Sequence, residues 1–266
     1  MTQALSAWIE GIGLIAPGFP DWTLGAAVLA GRAAYVAAPS VLPVPALLPP
    51  AERRRASRVV KLALAVGLAA VSDGGGTAAT LATVFTASGG DGQNCHAICE
   101  TLASAERQVS PTRFHNSVHN TAAGYWGIAT GAMAPCQVLC AHDASFAAGL
   151  LEALVQVATG GQPVLLVAYD AEYPEPIHAV RPIPDAGAIA LLLAPQPGPQ
   201  AKARLTARLG EAPATALVEP ALETLRTAIP ALRGLPLLAL LAAGQPGRAS
   251  LEYLTPLQLQ VEVEPC

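Results

Sequence analysis

The fold of this chain is decided by residues 135–153, PCQVLCAHDASFAAGLLEA. Gln137–Ala141 is predicted to be a short buried strand, His142 and Asp143 to form a sharp bend, and an alanine-rich helix to begin at Ala144. A strand that breaks directly into a helix exposes the side chain at the bend, and the helix N-terminus stabilises negative charge there. Enzymes often place a nucleophilic cysteine or serine at such a bend. The segment therefore predicts a catalytic elbow in which an aspartate replaces the nucleophile.

The segments around the elbow alternate between strands and helices. Asp21 is a good N-cap for a helix. Further strands are predicted at 7–18, 80–90, 160–173 and 185–196, and helices at 21–30, 51–71, 93–106 and from 120 onward. Residues 110–120, SPTRFHNSVHN, are predicted to be an irregular loop, and the proline-rich residues 39–50 an extended segment. The order βαβαβαββ predicts a layered α/β unit with a mostly parallel sheet.

The character of the chain changes at Gln196. A turn-forming PQPGPQ segment is followed by a tail that is too short to repeat the first unit. We therefore expect two parts: residues 1–196 as one complete α/β half, and residues 197–266 as a truncated C-terminal portion packed on the same core.

Composition limits the classes of function. Apolar residues make up 52% and charged residues only 13%, which predicts a large protein–protein interface. The sequence has no basic stripe interleaved with aromatic residues, so nothing in it indicates nucleic-acid binding. The longest apolar runs, Leu62–Val71 and Leu235–Ala243, are well short of the roughly 20 residues of a membrane span. We expect a soluble, cytoplasmic protein without stable membrane insertion.

Five cysteines are present, an odd number with scattered spacing, which predicts free thiols in a reducing compartment. Cys95, His96 and Cys99 lie close together in sequence. No second ligand pair follows with the spacing of a zinc site, so we expect no metal. Basic residues open the predicted helix 51–71, where they oppose the helix dipole. They predict either a solvated face or a contact with an acidic carrier protein.

Several segments, in order, resemble the β-ketoacyl synthases of the thiolase superfamily. These are IEGIGLIAPG, RRRASRVVKLALAVGLAA, TASGGDGQ, SPTRFHNSVHNTAAG and the stretch from Pro135 to Asp143. The resemblance covers roughly residues 5–195 and implies a thiolase-like layered fold. It looks closest to the chain length factors of aryl polyene-type polyketide pathways.

The resemblance places the family's nucleophilic cysteine at Asp143. A carboxylate is a weak nucleophile toward thioesters and cannot hold an acyl chain as a thioester. Asp143 is instead expected to cap the following helix. Cys140, three residues upstream, is expected to be buried within the strand and poorly ionised. A triad of His142, Asp143 and Ser145 is excluded because such close neighbours cannot converge.

The tail from Gln196 to Cys266 contains no histidine. In the family, histidines of the C-terminal half drive decarboxylation and polarise the thioester, so the resemblance implies that both condensation and decarboxylation are lost here. We therefore expect no catalytic residue in this chain.

Resemblance also implies that the predicted helix 93–106 and the start of the next helix line a subunit interface and close the partner's acyl tunnel. His115 and His119 are expected to be structural or interfacial rather than catalytic. The candidates for the interface or tunnel are Asn94, His96, Cys99, Glu100, Phe114, His115, Asn116, His119, Asn120, Tyr125 and Trp126.

The function that these features favour is a non-catalytic chain-length-factor-like subunit. Its expected partners are a full-length ketosynthase and, through that partner, a phosphopantetheinylated acyl carrier protein, with no cofactor of its own. The alternative is a stand-alone acyl-thioester transferase or hydrolase that uses Cys140 or the pair His142 and Asp143. A third possibility is a homodimeric scaffold.

Overall fold

A computed structural model describes residues 4–266, in which one mixed sheet is covered by helices on both faces. The eight strands are β1 (Leu5–Ile15), β2 (Ala82–Thr86), β3 (Cys136–Leu139), β4 (Val164–Asp170), β5 (Gly187–Ala194), β6 (Ala203–Gly210), β7 (Gly247–Glu252) and β8 (Gln258–Pro265). This architecture agrees with the predicted layered α/β fold.

The helices alternate with the strands over the first two thirds of the chain. They are α1 (Trp22–Leu29), α2 (Pro50–Arg55), α3 (Arg58–Asp73), α4 (Gly92–Ala103), α5 (Pro111–His115), α6 (Thr121–Thr130), α7 (Ser145–Gly160), α8 (Ile177–Val180), α9 (Pro220–Ala228) and α10 (Leu235–Ala243). Short 3-10 helices span Ala78–Thr80, His142–Ala144 and Pro230–Gly234. In the part of the chain that the structure describes, no helix is both long and apolar enough to cross a bilayer.

The strand order is β3-β2-β4-β5-β1-β6-β8-β7. Only β3–β2 and β2–β4 are parallel, and the other pairs are antiparallel. The prediction of a mostly parallel sheet was therefore wrong. Parallel neighbours need a long crossover such as α7, whereas β5 follows β4 through a loop that contains only the short α8.

Two apolar layers hold the helices on the sheet. One packs α3 and α6 against the sheet, and the other packs α7, α10 and α1 on the opposite face. Every residue of β4 and β5 is buried. This explains why these two strands are continuous apolar runs rather than alternating patterns.

Residues 203–266 extend the same sheet rather than building a second one. β6 pairs with β1, and β8 and β7 continue outward from β6. α10 packs on α1, and the 3-10 helix Pro230–Gly234 packs on α7. The tail therefore brings its own side chains to the N-terminal end of α7, where the elbow lies.

Two local predictions were wrong. The predicted helix 51–71 is broken at Ala56 and Ser57, so Arg53–Arg55 end α2 and stabilise its dipole instead of opposing it. Residues 110–120 contain the short α5, which begins at Pro111, a favoured first residue of a helix. The predicted N-cap is confirmed, because Oδ1 of Asp21 accepts a hydrogen bond from the N–H of Leu24 at 2.9 Å.

Candidate functional site

The elbow, residues Cys140–Ser145, joins the end of β3 to the start of α7. The strand is Cys136–Leu139, so Cys140 and Ala141 lie just beyond it. His142 has φ = 52°, and no other non-glycine residue between 4 and 266 has a positive φ. Such a backbone conformation is costly for a residue with a side chain and marks a tightly held bend. The predicted strand, bend and helix are present, but the prediction that the strand is buried was wrong, because β3 lies at the edge of the sheet and its first two residues are exposed.

Ser145 holds the bend from inside. Its Oγ accepts a hydrogen bond from the N–H of Ala141 at 3.0 Å and lies 2.7 Å from the carbonyl oxygen of His142. Thr86 of β2 donates to the carbonyl oxygen of Ser145 at 2.8 Å. Ser145 is fully buried and its hydroxyl is used by the backbone, so it forms no triad with His142 and Asp143.

The Asp143 carboxylate lies between two guanidinium groups. Its Oδ1 accepts a hydrogen bond from Nη2 of Arg181 at 2.8 Å, and its Oδ2 lies 3.1 Å from Nη2 of Arg233. Neither the 3-10 helix His142–Ala144 nor α7 has a side-chain cap. The prediction that Asp143 caps the helix was therefore wrong, because the bend turns the carboxylate toward arginines that follow much later in the chain.

His142 is oriented by the same arginine. Its Nε2 lies 2.6 Å from Nη1 of Arg181. Because a guanidinium group only donates, the hydrogen-bond network assigns Nε2 as the acceptor and Nδ1 as the protonated nitrogen. Nδ1 lies 3.5 Å from Oδ1 of Asp143. The two nitrogens of the imidazole are thus directed to Arg181 and Asp143.

A series of ion pairs connects Asp143 to the last hairpin. Arg233 also pairs with Glu252 of β7, and Glu252 lies 3.4 Å from Arg226 of α9. Arg226 is buried and binds Glu223 at 2.7 Å, and this hydrogen bond lowers the pKa of Glu223. The network ties the elbow to the C-terminal segment of the chain.

The buried carboxylate of Asp170 helps to hold this ion-pair network in place. This buried residue ends β4 and accepts hydrogen bonds from the N–H and Oγ of Ser88 and from the N–H of Ala231. Burial raises its pKa to about 6, although the hydrogen bonds from Ser88 oppose the shift. Through Ala231, Asp170 fixes the 3-10 helix that carries Arg233.

The elbow offers little nucleophilic chemistry. Both oxygens of Asp143 are engaged by guanidinium groups, which reduces the electron density available for attack on a carbonyl. Its side chain is 40% exposed, so the elbow is open to solvent rather than sealed. The arrangement suits a structural ion-pair centre better than acyl transfer.

Cys140 differs from its prediction in one respect. It is exposed rather than buried, and its Sγ lies 2.7 Å from Nε2 of His119. Its pKa is nevertheless raised, first by partial burial of the thiol and then by the charge of Asp170. The pair joins the loop after α5 to the end of β3.

The exposed residues among the interface or tunnel candidates lie on α4, on α5 and in the loop that follows α5. Phe114 is 70% exposed, and His96 pairs with Glu100 at 3.3 Å. The exposed candidates are Cys99, Glu100, Phe114, His115, His119 and Asn120.

Four other candidates lie inside the chain. Asn94 donates to the carbonyl oxygen of Arg113, and Asn116 donates to that of Arg55. Tyr125 and Trp126 are each only 2% exposed and pack between α3 and the sheet. Asn94, Asn116, Tyr125 and Trp126 therefore offer little side-chain surface to a partner, and their expected role at an interface or tunnel stays a prediction.

Cavities of about 610, 490 and 400 Å³ lie away from these candidates, and none of the candidates lines them. Within residues 4–266, no three histidine, cysteine or acidic side chains lie close enough together to hold a metal ion.

Sequence reasoning missed Arg181, Arg233 and Asp170. Arg181 follows a proline-rich loop and Arg233 lies between Leu232 and Gly234, so neither sequence context marks a site. Asp170 did carry a signal, since it ends an otherwise apolar buried strand. A charged residue at that position predicts a specific partner.

This chain is similar to known proteins in both sequence and fold. Residues 30–242 match the model of the β-ketoacyl synthase N-terminal domain. No curated protein matches the chain significantly.

Among solved structures, the chain aligns with a chain of the complex between the ketosynthase ApeO and its chain length factor ApeC from Xenorhabdus doucetiae. The TM-score is 0.72 and the identity 25%, over 97% of this chain and 99% of that one.

Two further complexes show the same fold at lower identity. The ishigamide ketosynthase/chain length factor aligns with a TM-score of 0.69 and 16% identity over 98% and 99% of the two chains. The AntDE:AntF complex of a type II polyketide synthase acyl-carrier protein with its ketosynthase gives 0.74 and 10% over 99% and 100%. The chain belongs to the β-ketoacyl synthase family, whose N-terminal domain accounts for most of its length, and it resembles the chains of ketosynthase–chain length factor complexes.

Proposed function

We propose that this chain is a non-catalytic, chain-length-factor-like subunit that forms a heterodimer with a full-length, cysteine-bearing ketosynthase. The observation that supports this most is Asp143, which the sequence resemblance places at the family's nucleophile position and which is bound to Arg181 and Arg233. The similar structures with ApeO and ApeC and with the ishigamide proteins are themselves ketosynthase–chain length factor complexes.

The proposed contact with the synthase is the edge surface, which we define as Phe114, Val118, Met133, Cys136 and Gln137. Among the strands of residues 4–266, β3 pairs with β2 alone, so its outer edge has N–H and C=O groups that no described strand pairs. Met133 shortly precedes this strand, and Phe114 and Val118 shortly precede His119, which contacts Cys140 at the end of the strand. Phe114, Val118 and Met133 are 70%, 52% and 95% exposed. Exposed apolar side chains beside an open strand edge favour a protein partner over solvent.

Within such a heterodimer, the exposed side chains of α4 and α5 are proposed to close the partner's acyl tunnel. Phe114 is the strongest candidate, because it is large, apolar and directed outward. A rigid ring at a tunnel end would oppose further elongation by overpacking, at a cost of about 1–3 kcal/mol. The products are proposed to be polyketide or fatty-acyl chains, with aryl polyenes as the favoured class from the sequence resemblance.

An acyl carrier protein is the second proposed partner, as in the AntDE:AntF complex. Arg53 and Arg58 are already bound, Arg53 to backbone carbonyl groups and Arg58 to Glu172 and Asp185. Arg54 and Arg55 at the end of α2 are exposed, and Arg55 also forms an exposed ion pair with Glu52 at 3.0 Å. They favour an acidic surface as their partner.

Co-expression with a ketosynthase encoded nearby, followed by size exclusion, tests the heterodimer. We expect co-elution for the unmodified pair, loss of co-elution for Phe114→Asp, and no change for Val218→Asp. Val218 is the matched control, since it is fully exposed but lies in the loop before α9, outside the edge surface. A pair that never co-elutes, or two variants that behave alike, would count against the proposal.

A second candidate function is supported by the contact between Cys140 and His119. A thiol within hydrogen-bond reach of an imidazole is an arrangement that acyl transferases use. The raised pKa of Cys140 opposes this, because it keeps the thiol protonated at neutral pH.

Incubation of the isolated chain with labelled malonyl- and acyl-carrier protein separates the two candidates. We expect neither covalent labelling nor turnover. Labelling that disappears in Cys140→Ser would instead establish a stand-alone acyl-thioester enzyme.

A further inference from the structure

We propose that the cavity beside Glu10 binds an alkylammonium group, with the Glu10 carboxylate as its counter-ion. Glu10 lies at the bulge of β1 between Ile9 and Gly11, and only 6% of its surface is exposed. A carboxylate buried to this extent is costly unless hydrogen bonds or a cation compensate it. Across residues 4–266, no basic side chain forms an ion pair with Glu10.

Only one carboxylate oxygen of Glu10 is accounted for. Oε1 accepts a hydrogen bond from the N–H of Gly198 at 2.7 Å. Oε2 receives no hydrogen bond from the described residues, yet it is not sealed off from solvent. Glu10 lines a cavity of about 490 Å³, which is within the size range of small-molecule sites. The free acceptor therefore faces a space that a small ligand can fill.

Lys202, the basic residue beside this bulge, already forms an ion pair with another carboxylate. The N–H of Lys202 donates to the carbonyl oxygen of Ile9, but its Nζ lies 3.1 Å from Oδ2 of Asp73. The same Asp73 oxygen accepts a hydrogen bond from the N–H of Ile12 at 2.8 Å. Lys202 thus compensates Asp73, and the charge of Glu10 remains without a cation.

The walls of the cavity suit a cation that has an apolar tail. Gly74–Gly76 follow the C-terminus of α3, where the helix dipole places negative partial charge. No basic residue is among the described lining residues. Neutral acceptors come from Thr77, Thr80 and Gln196, and the apolar part of the lining is Leu81, Pro163, Leu192, Ala194 and Pro195. A bare metal ion would leave this apolar part unused, whereas an alkylammonium ion uses both parts.

Isothermal titration with n-hexylammonium chloride tests the site, with n-hexanol as the neutral probe of the same shape. Glu10→Gln is the matched variant, since its amide oxygen still accepts from Gly198. We expect saturable binding of hexylammonium to the unmodified chain, and binding weaker by about tenfold or more for hexanol and for Glu10→Gln.

Equal binding of hexanol and hexylammonium would overturn the proposal even if Glu10→Gln failed to fold. Unchanged binding to a folded Glu10→Gln chain would overturn it as well. A further titration with Nα-acetyl-lysine methylamide distinguishes the two sources of this cation. Binding comparable to that of hexylammonium points to a lysine side chain of a partner protein, and much weaker binding points to a free amine.

Discussion

Replacing Asp143 by serine separates the two roles that this residue could have at the elbow. Serine is about as good an N-cap as aspartate, so a capping role predicts almost no loss of stability for Asp143→Ser and a loss of about 1 kcal/mol for Asp143→Ala. An ion-pair role predicts that both variants lose the same amount, because both remove the carboxylate that Arg181 and Arg233 share.

The expected loss follows from the contacts. Asp143 is 40% exposed, so each pair is discounted for solvent to about 0.5–1 kcal/mol. Arg233 keeps Glu252 and Arg181 keeps His142 after the substitution, so neither guanidinium group loses all its contacts. We therefore expect a total loss of about 1–2 kcal/mol. In a domain of roughly this size, each kcal/mol lowers Tm by about 2–4 °C.

Urea unfolding followed by circular dichroism, at low and high NaCl, is the measurement. Asp21 supplies the matched control, because its carboxylate is a true N-cap that accepts from Leu24. Asp21→Ser should retain most of its stability while Asp21→Ala loses about 1 kcal/mol. The penalty of Asp143→Ser should shrink in 1 M salt, where the Debye length is about 3 Å.

Three results would contradict this reasoning. Asp143→Ser could be as stable as the unmodified chain, the penalty could be unaffected by salt, or Asp143→Ala could abolish condensation by a folded complex. The last outcome would give Asp143 a role in chemistry that its two arginine partners do not suggest.

Three further predictions concern the core, the interface and the close packing of β1. Because the pKa of Asp170 is raised to about 6 from 3.8, its ionised form disfavours the folded state above that pH, and this cost is relieved as pH falls from 7 to 4. As pH falls from 7 to 4, the unmodified chain should therefore gain stability relative to Asp170→Asn by on the order of 3 kcal/mol. Urea unfolding of both chains measures this difference. Phe114→Ala should lengthen the products of the reconstituted complex by about one two-carbon unit or more, read by mass spectrometry, and unchanged products would exclude Phe114 as the tunnel end. Gly11→Ala should destabilise the fold by more than about 3 kcal/mol, because its Cβ would lie 2.0 Å from the carbonyl oxygen of Ala70. A Cβ at Gly124 in α6 meets no atom within 4 Å, so Gly124→Ala should stabilise the fold by up to about 1 kcal/mol. Thermal unfolding measures both effects.

The sequence predicted what depends on near neighbours. The strand, bend and helix of the elbow follow from apolar patterning and from the residues at the bend itself, and Asp21 was correctly read as an N-cap because it bonds three residues ahead. The same reasoning failed for Asp143, since aspartate is a good cap in general and nothing local shows that two arginines compete for it.

Distant contacts also explain the other failures. Cys140 was expected to be buried because it follows apolar residues, yet β3 is an edge strand and leaves it exposed beside His119. Trp126 was placed at an interface or tunnel by the family resemblance, and in this chain its ring packs against Phe85 in the core. Edge and centre of a sheet are properties of strand order, which a single sequence does not encode locally.

The shape of the elbow does not depend on the side chain at position 143, because other residues build the bend. Ser145 and Thr86 fix the backbone through hydrogen bonds that do not involve the side chain at position 143. The carboxylate of Asp143 binds Arg233 from the C-terminal segment. The family resemblance implies that, in a catalytic synthase, the C-terminal half brings histidines to the nucleophile. In this chain the C-terminal segment brings Arg233 to Asp143, so the contact between the two parts of the chain at the elbow is an ion pair.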